Sequence, residues 1–248
     1  MSAVPKKGTR VRFQLETDAR VQGVTGVVTY QRGRTIRLVD SHGRRYTNAR
    51  ARGANIALTM VRPVRFGLFV FDTRLDRSLS SQRQAGRFWQ EYCDCAGWSW
   101  GSERVHSLAD LRYFLGRAIP GDVLIFSGHG HDKRGFRLSN GEELDGRQPL
   151  EVNHANHDKV VLFSSCQLGR SEKMAHRLME ALHARALIGY STDVLDDMAF
   201  VAEPMLLQLL AAGRSARAAT ETVAAALDPW KTLNQPRARR FPLVCYER

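Results

Sequence analysis

Two side chains suited to covalent catalysis sit in matching surroundings. His129 lies within Ser127-Gly128-His129-Gly130, and Cys166 within Ser164-Ser165-Cys166-Gln167-Leu168-Gly169. A thiolate is a strong nucleophile, but at neutral pH it is scarce unless an imidazole or a helix N-terminus stabilises it. Cys166 has both prospects: His129, if the two motifs meet, and the first amides of a helix entered through Gly169-Arg170-Ser171. The chemistry is attack on an acyl carbon, with Cys166 as nucleophile and His129 as general base and then acid. Gly128 and Gly130 let backbone approach a substrate closely, and the amides of Gly130 and Cys166 are candidate oxyanion donors. This chemistry needs no metal and no other cofactor.

The elements around these residues supply the meeting place. Each motif closes an apolar run, Val123-Leu124-Ile125-Phe126 in one case and Val160-Val161-Leu162-Phe163 in the other. Continuous apolar runs bounded by polar residues and Gly read as strands buried on both faces of a parallel sheet. These two are expected to end at His129 and Cys166. Ligands and chemistry in open α/β sheets gather outside the carboxyl ends of the strands, so the pair is expected at one edge. Beyond Pro63 strands and helices alternate, which predicts an α/β fold, a mainly parallel sheet covered by helices. Strands are expected at 64–71, 98–105, 186–190 and 241–246. Helices are expected at 78–92 (capped by Ser78 or Ser80), 108–118, 172–183, 198–212 and 217–227, with a hairpin at 136–144.

Residues 1–62 have another texture. Short β-rich pieces at 9–15, 26–30, 35–39, 45–48 and 55–60 are separated by Gly-bearing turns at 31–34 and 40–44, which predicts a small all-β barrel. Its Gly26-Val27-Val28 and following turn resemble an SH3-like or KOW-like barrel. Two domains follow: 1–62, a small basic barrel, and 63–248. The first segment holds 13 Lys or Arg against 3 Asp or Glu, so +10 of the net +12 resides there. Such a field favours phosphate backbones or an acidic protein surface. Arg44, Arg45, Arg50 and Arg52, with Tyr30 and Tyr46 as stacking platforms, are the candidate nucleic-acid face. A regulatory protein partner is weighed slightly ahead of nucleic acid.

With 43% apolar residues the chain is expected to fold as a globular protein, and it has no run of 18 apolar residues. No membrane partner is expected. Four cysteines are too few for a disulfide framework, and the first residues lack the apolar core of a secretion signal. A cytoplasmic location with reduced thiols is therefore expected.

The two motifs together resemble the caspase-like cysteine peptidases of the bacterial CHAT and metacaspase type, clan CD, over roughly residue 64 to the C-terminus in element order. That family carries a His-Gly pair and a Cys at the ends of adjacent parallel strands. The resemblance implies a caspase-like sheet with helices on both faces, His129 as the catalytic histidine and Cys166 as the nucleophile. It implies a cysteine endopeptidase acting on protein or peptide substrates, regulated by a partner or ligand, in a bacterial defence or cell-death response. It also implies a charged pocket for the side chain preceding the cut, with Asp193, in the loop after Tyr190, as first candidate and Asp72 as second. Many metacaspases have Asp before the nucleophile, whereas Ser165 stands here. The Trp-Pro stretch of CHAT proteins is replaced by Tyr190-Ser191-Thr192, and Ser165 places the chain nearer that branch.

Other readings of the same residues are weaker. His129-Gly130-His131-Asp132 is similar to the zinc motif of metallo-β-lactamase-like hydrolases, but Asp132 follows His131 directly and no further His completes the set. His131 is the alternative base if the register differs by two. Cys93-Asp94-Cys95 lacks a second ligand pair, and His154 and His157 lack partners in sequence. A catalytically inert caspase-like domain in a nucleic-acid-binding regulatory protein is the alternative function.

Overall fold

The computed structural model describes residues 7, 10–17, 20–32, 35–40, 45–47, 57–58, 62–63, 66–73, 85–230 and 240–248. The chain forms two compact units, residues 1–68 with 87–101 and residues 69–86 with 102–248.

The first unit contains β1 (Arg10–Thr17), β2 (Arg20–Arg32), β3 (Thr35–Asp40), β4 (Arg45–Thr47), β5 (Ala57–Leu58) and β6 (Arg62–Pro63). They form one antiparallel sheet in the order β4-β3-β2-β1-β5, with β6 also on β1. The strand expected at 26–30 is 13 residues long because it pairs along both neighbours, with a register shift between Val28 and Tyr30. Arg32 pairs with Thr35 and Val39 with Arg45, which brackets both expected turns; residues 33–34 and 41–44 lie outside the described residues. Ile36 and Leu38 are buried at alternate positions of β3, with buried Val28 of β2 opposite Leu38, as strands with one covered face require. Helix α1 (Ala85–Ala96) buries Trp89 and Cys93, four residues apart on one face. Tyr92 packs on Trp89 and Trp98, and Trp98 on Phe66, with ring centroids 4.8–5.7 Å apart. This helix continues past the expected end at 92; the expected caps Ser78 and Ser80 lie outside the described residues.

The second unit is a mixed α/β layer structure with a mostly parallel six-stranded sheet flanked by helices. Its strands are β7 (Gly67–Asp72), β8 (Ser99–Arg104), β9 (Val123–Ser127), β13 (Val160–Ser164), β14 (Ala186–Tyr190) and β15 (Leu243–Glu247), in the order β15-β14-β13-β9-β7-β8. β9, β13 and β14 run parallel, and β15 runs antiparallel to β14. Amide bonds from Ser99 to Phe66 O and from Val105 to Asp72 O set β8 parallel to β7. A separate small sheet joins β10 (His129–His131), β11 (Gly135–Arg137) and β12 (Glu143–Leu144).

Alternate strand residues serve opposite faces. Phe69, Phe71, Leu124, Phe126, Val161, Phe163 and Leu187 form one core with Leu111 and Leu115 of α2 (Leu108–Leu115) and Met174 and Leu178 of α3 (Glu172–Ala181). Each such side chain contributes about 1.5–3 kcal/mol on burial. On the other side Tyr190 is fully buried and donates its hydroxyl to Glu203 Oε1 of α4 (Asp196–Ala211) at 3.3 Å. Helix α5 (Ala216–Leu227) packs on β14 and β15. The helices start where a hydroxyl can bond an orphan amide: Ser107 on Asp110, Ser171 on Met174 and Ser215 on Ala218. Asp110 answers with its own carboxylate on the Ser107 amide, completing a capping box. α4 differs, with exposed Leu195 at its N-cap and no side-chain cap bond.

Two strand ends differ from expectation. β9 stops at Ser127 and β13 at Ser164, not at His129 and Cys166. The cause is that His129–His131 leaves the main sheet to pair with β11, while Cys166 begins a turn into a 3-10 segment, Leu168–Arg170.

Candidate active site

The parallel register pairs Ser127 with Ser164, so His129 and Cys166 each stand two residues beyond adjoining strand ends. Neighbouring strands lie about 4.8 Å apart, which makes their points of departure near neighbours. Three backbone contacts fix the junction. Gly128 N–H donates to Ser164 O at 3.3 Å, and Thr73 donates its N–H (3.0 Å) and its hydroxyl (3.3 Å) to Ser127 O. A side chain at 128 would overlap Thr73 Oγ1 and the Phe136 ring.

His129 is exposed and opposes Arg137; Gly130 opposes Phe136. Gly130 lies directly against the Cys166 turn. A Cβ added there would sit 2.5 Å from Cys166 O, 2.8 Å from Ser165 Oγ and 2.9 Å from Leu168 Cγ. The structure thus brings together Gly130 and Cys166, the two expected oxyanion donors. Ser165 Oγ and Ser127 Oγ are buried without a hydrogen-bond partner.

Cys166 is half-buried, and its sulfur engages Val194. Val194 N–H donates to Sγ at 3.4 Å, and the thiol points back to Val194 O at 3.8 Å. An amide aimed at sulfur is a donor that a thiolate accepts more strongly than a thiol. Gln167 follows in the left-handed region, φ 61°, a conformation that favours Gly and that other residues adopt where surroundings hold it. The holding contacts are its N–H on Thr192 O at 3.0 Å and its Nε2 on Asp193 Oδ1 at 2.8 Å. At the near end of the same loop, Ser191 N–H and Oγ both donate to Pro242 O, at 2.8 and 3.2 Å.

Asp193 is therefore beside the Cys166 turn, exposed and bonded to Gln167. Asp72 ends β7 on the other flank. Their strands, β14 and β7, are three steps apart across the sheet, about 14 Å at ~4.8 Å per step. The two candidate pocket carboxylates thus leave from opposite sides of the His129 and Cys166 positions.

His131 lies two positions beyond His129 along β10. Its Nδ1 accepts the Lys133 amide at 3.1 Å and stands 3.1 Å from Asp132 Oδ1, while Asp132 Oδ2 is 3.5 Å from Arg170. Arg170 comes from the turn after Cys166, so this pair ties the two motifs together. Among the described residues no group of three or more His, Cys, Asp or Glu is arranged to hold a metal ion. His154, His157 and His183 instead stack face to face, with centroids 4.8 and 4.2 Å apart.

The four cysteines differ in chemical prospects. Cys93 is fully buried, Cys95 is exposed, and Cys245 in β15 has its thiol pushed up to about 12 by burial and by the nearby Glu247 carboxylate. An open cleft of about 870 Å³ runs beside Cys245, lined by Ser191, Thr192, Arg217, Asp228 and Arg240 among others. Neither His129 nor Cys166 lines it.

In the first unit Tyr30 is exposed, and the Arg37 guanidinium already lies 4.9 Å from its ring centroid. Arg45 is exposed. Arg44, Arg50, Arg52 and the Tyr46 side chain lie outside the described residues. No described helix is long and apolar enough to cross a membrane. Neither a family model nor a curated protein matches the chain.

Sequence reasoning missed Val194, Thr73 and the Asp132–Arg170 pair. Val194 acts through its backbone, and nothing in its side chain announces that. Arg170 was in view only as a helix approach.

Proposed function

We propose that this chain is a cysteine endopeptidase of caspase-like type that hydrolyses peptide bonds in protein substrates. The observation that carries the reading is the register: Ser127 opposite Ser164, with His129 and Cys166 at equivalent positions beyond them and Gly130 against the Cys166 carbonyl. His129 takes the thiol proton, and Sγ attacks the carbonyl carbon of the scissile peptide. The Gly130 and Cys166 amides donate to the resulting oxyanion. The C–N bond then breaks, the amine leaves with the proton from His129, and a thioester remains. A water that loses its proton to His129 attacks the thioester, the C–S bond breaks, and the proton returns to sulfur. The peptide acid is released.

Asp193 receives a basic side chain preceding the cut, with Asp72 as the second candidate. The N-terminal unit, read as an SH3-like barrel, docks a regulatory protein, with nucleic acid as the alternative ligand of its basic residues. The test is a fluorogenic panel with Arg, Lys, Asp or Leu before the cleaved bond, applied to the parent and to Cys166→Ala and His129→Ala. Cleavage after Arg or Lys that vanishes in Cys166→Ala is expected. Activity surviving that substitution overturns the mechanism, and preference for Asp overturns the acidic pocket.

A further inference from the structure

The loop between Tyr190 and α4 does two things at once. Its Val194 backbone brackets the Cys166 sulfur with an N–H at 3.4 Å and a carbonyl at 3.8 Å, and its Asp193 carboxylate accepts Gln167 Nε2 at 2.8 Å. Gln167 is the residue next to the nucleophile, so the sulfur and the carboxylate are held by adjacent positions of one turn. Val194 thus covers part of a sulfur that is itself half-buried. The loop is anchored at its near end by the two Ser191 bonds to Pro242 O. Its far end runs into α4, whose N-cap position carries no side-chain cap bond, unlike α2, α3 and α5.

We propose that residues 192–194 are a latch that shields the Cys166 thiol, with Gln167 as the positioning residue that holds it shut, and that a guanidinium or ammonium group pairing with Asp193 opens it. The inference rests on Cys166 being the reacting group of the proposed peptidase. Its logic is competition for one carboxylate. Gln167 offers Asp193 a single bond from a neutral amide, whereas a guanidinium offers two parallel N–H donors and a full positive charge opposite the carboxylate. Asp193 is exposed, so such a group can reach it from solvent. Once the Gln167 side chain is displaced, the loop keeps its Ser191 anchor and the backbone bond from Gln167 N–H to Thr192 O but loses the side-chain tether beside Val194. The thiol is then uncovered by the kind of side chain that the pocket is proposed to select.

Iodoacetamide labelling tests this without requiring peptidase activity. The rate at Cys166 is read by peptide mapping of the full chain, in the parent, Gln167→Ala, Asp193→Ala and the double variant. Each single variant is expected to label Cys166 roughly five-fold faster, the factor that loss of one net hydrogen bond gives. The double variant is expected to label no faster than either single one, since both remove the same contact. The melting temperature of each variant serves as the folding control, and Asp193→Asn replaces Asp193→Ala if that variant melts near the assay temperature. Millimolar agmatine, a small alkylguanidinium, is expected to speed Cys166 labelling in the parent and to do nothing in the Asp193 variant. An unchanged rate in folded Gln167→Ala, additive single effects, or no response to agmatine overturns the latch. Faster labelling with no peptide cleavage in any variant upholds the latch and removes the peptidase reading.

Discussion

Replacing Gly130 by Ala is a sharp probe of the junction between the two motifs, because two effects oppose each other. A Gly→Ala change with room for the methyl stabilises a folded chain by about 0.4–1 kcal/mol through the unfolded state. At Gly130 there is no room. The new Cβ meets Cys166 O at 2.5 Å, and ordinary contact begins at 3.4 Å, so about 0.9 Å must open against a backbone atom. Ser165 Oγ and Leu168 Cγ, at 2.8 and 2.9 Å, block the same direction. The turn must therefore move as a body away from β10. Overpacking of this kind costs about 1–3 kcal/mol, which exceeds the entropic gain. Taking mid-range values, about 2 kcal/mol less about 0.7 leaves a net loss of about 1.3 kcal/mol, and at about 2–4 °C per kcal/mol for a chain of this size Tm is expected to fall by roughly 3–5 °C. Differential scanning calorimetry reads the melt, and iodoacetamide labelling of Cys166 reads the displaced turn. Gly141→Ala is the control: nothing lies within 4 Å of its added Cβ, and only its φ of +91° opposes the change. A Gly130→Ala protein that melts with the parent or above it, with Cys166 labelling unchanged, refutes the close approach of the two motifs.

Two further outcomes follow from single residues. Asn156 is fully buried and bonds the Ile119 amide and the Leu115 and Arg117 carbonyls at 2.6–2.9 Å. Asn156→Ala leaves these groups unpaired and is expected to cost about 3 kcal/mol or more in urea unfolding; a loss under about 1 kcal/mol speaks against it. The His183 imidazole is held below its usual 6.5, first by loss of water where its ring lies on His157, then by the charges of His157 and Arg248, against Asp158 and Glu180. Its contribution to stability is fully present above pH 6.5 and declines as pH falls through the lowered value. An NMR titration of His183 with a midpoint at or above 6.5 contradicts this.

Local patterns explain which parts of this fold were legible. Ala186–Tyr190 could be read residue for residue because an uninterrupted apolar run between charged and polar neighbours has few other uses. The hairpin around Ser139-Asn140-Gly141 was readable from Gly141, which adopts φ +91°. α2 stops at Leu115, short of the expected end at 118, with the Gly116 N–H closing back on Arg112 O. The strand ends were misplaced for a long-range reason: whether His129 continues β9 or leaves it depends on Phe136, seven positions on, being opposite Gly130. Of the candidate site, the meeting of Gly130 with the Cys166 turn was legible from residue types and strand order. The Val194 contact with sulfur was not, since 28 positions separate the two and the bonding atoms are backbone.

The anchoring of Ser191 to Pro242, 51 positions later, has a consequence for the order of events during synthesis. Chains emerge from the ribosome N-terminus first and fold as they emerge. β9 and β13 can pair as soon as both are out, which brings the segments carrying His129 and Cys166 to one sheet edge while β15 is still being made. The loop that meets the sulfur gains its Pro242 anchor only when that last strand adds to β14. On the proposed reading, the loop beside Cys166 is fastened only in the last step of folding, and the speed of that step sets how long the thiol stays without its proposed cover.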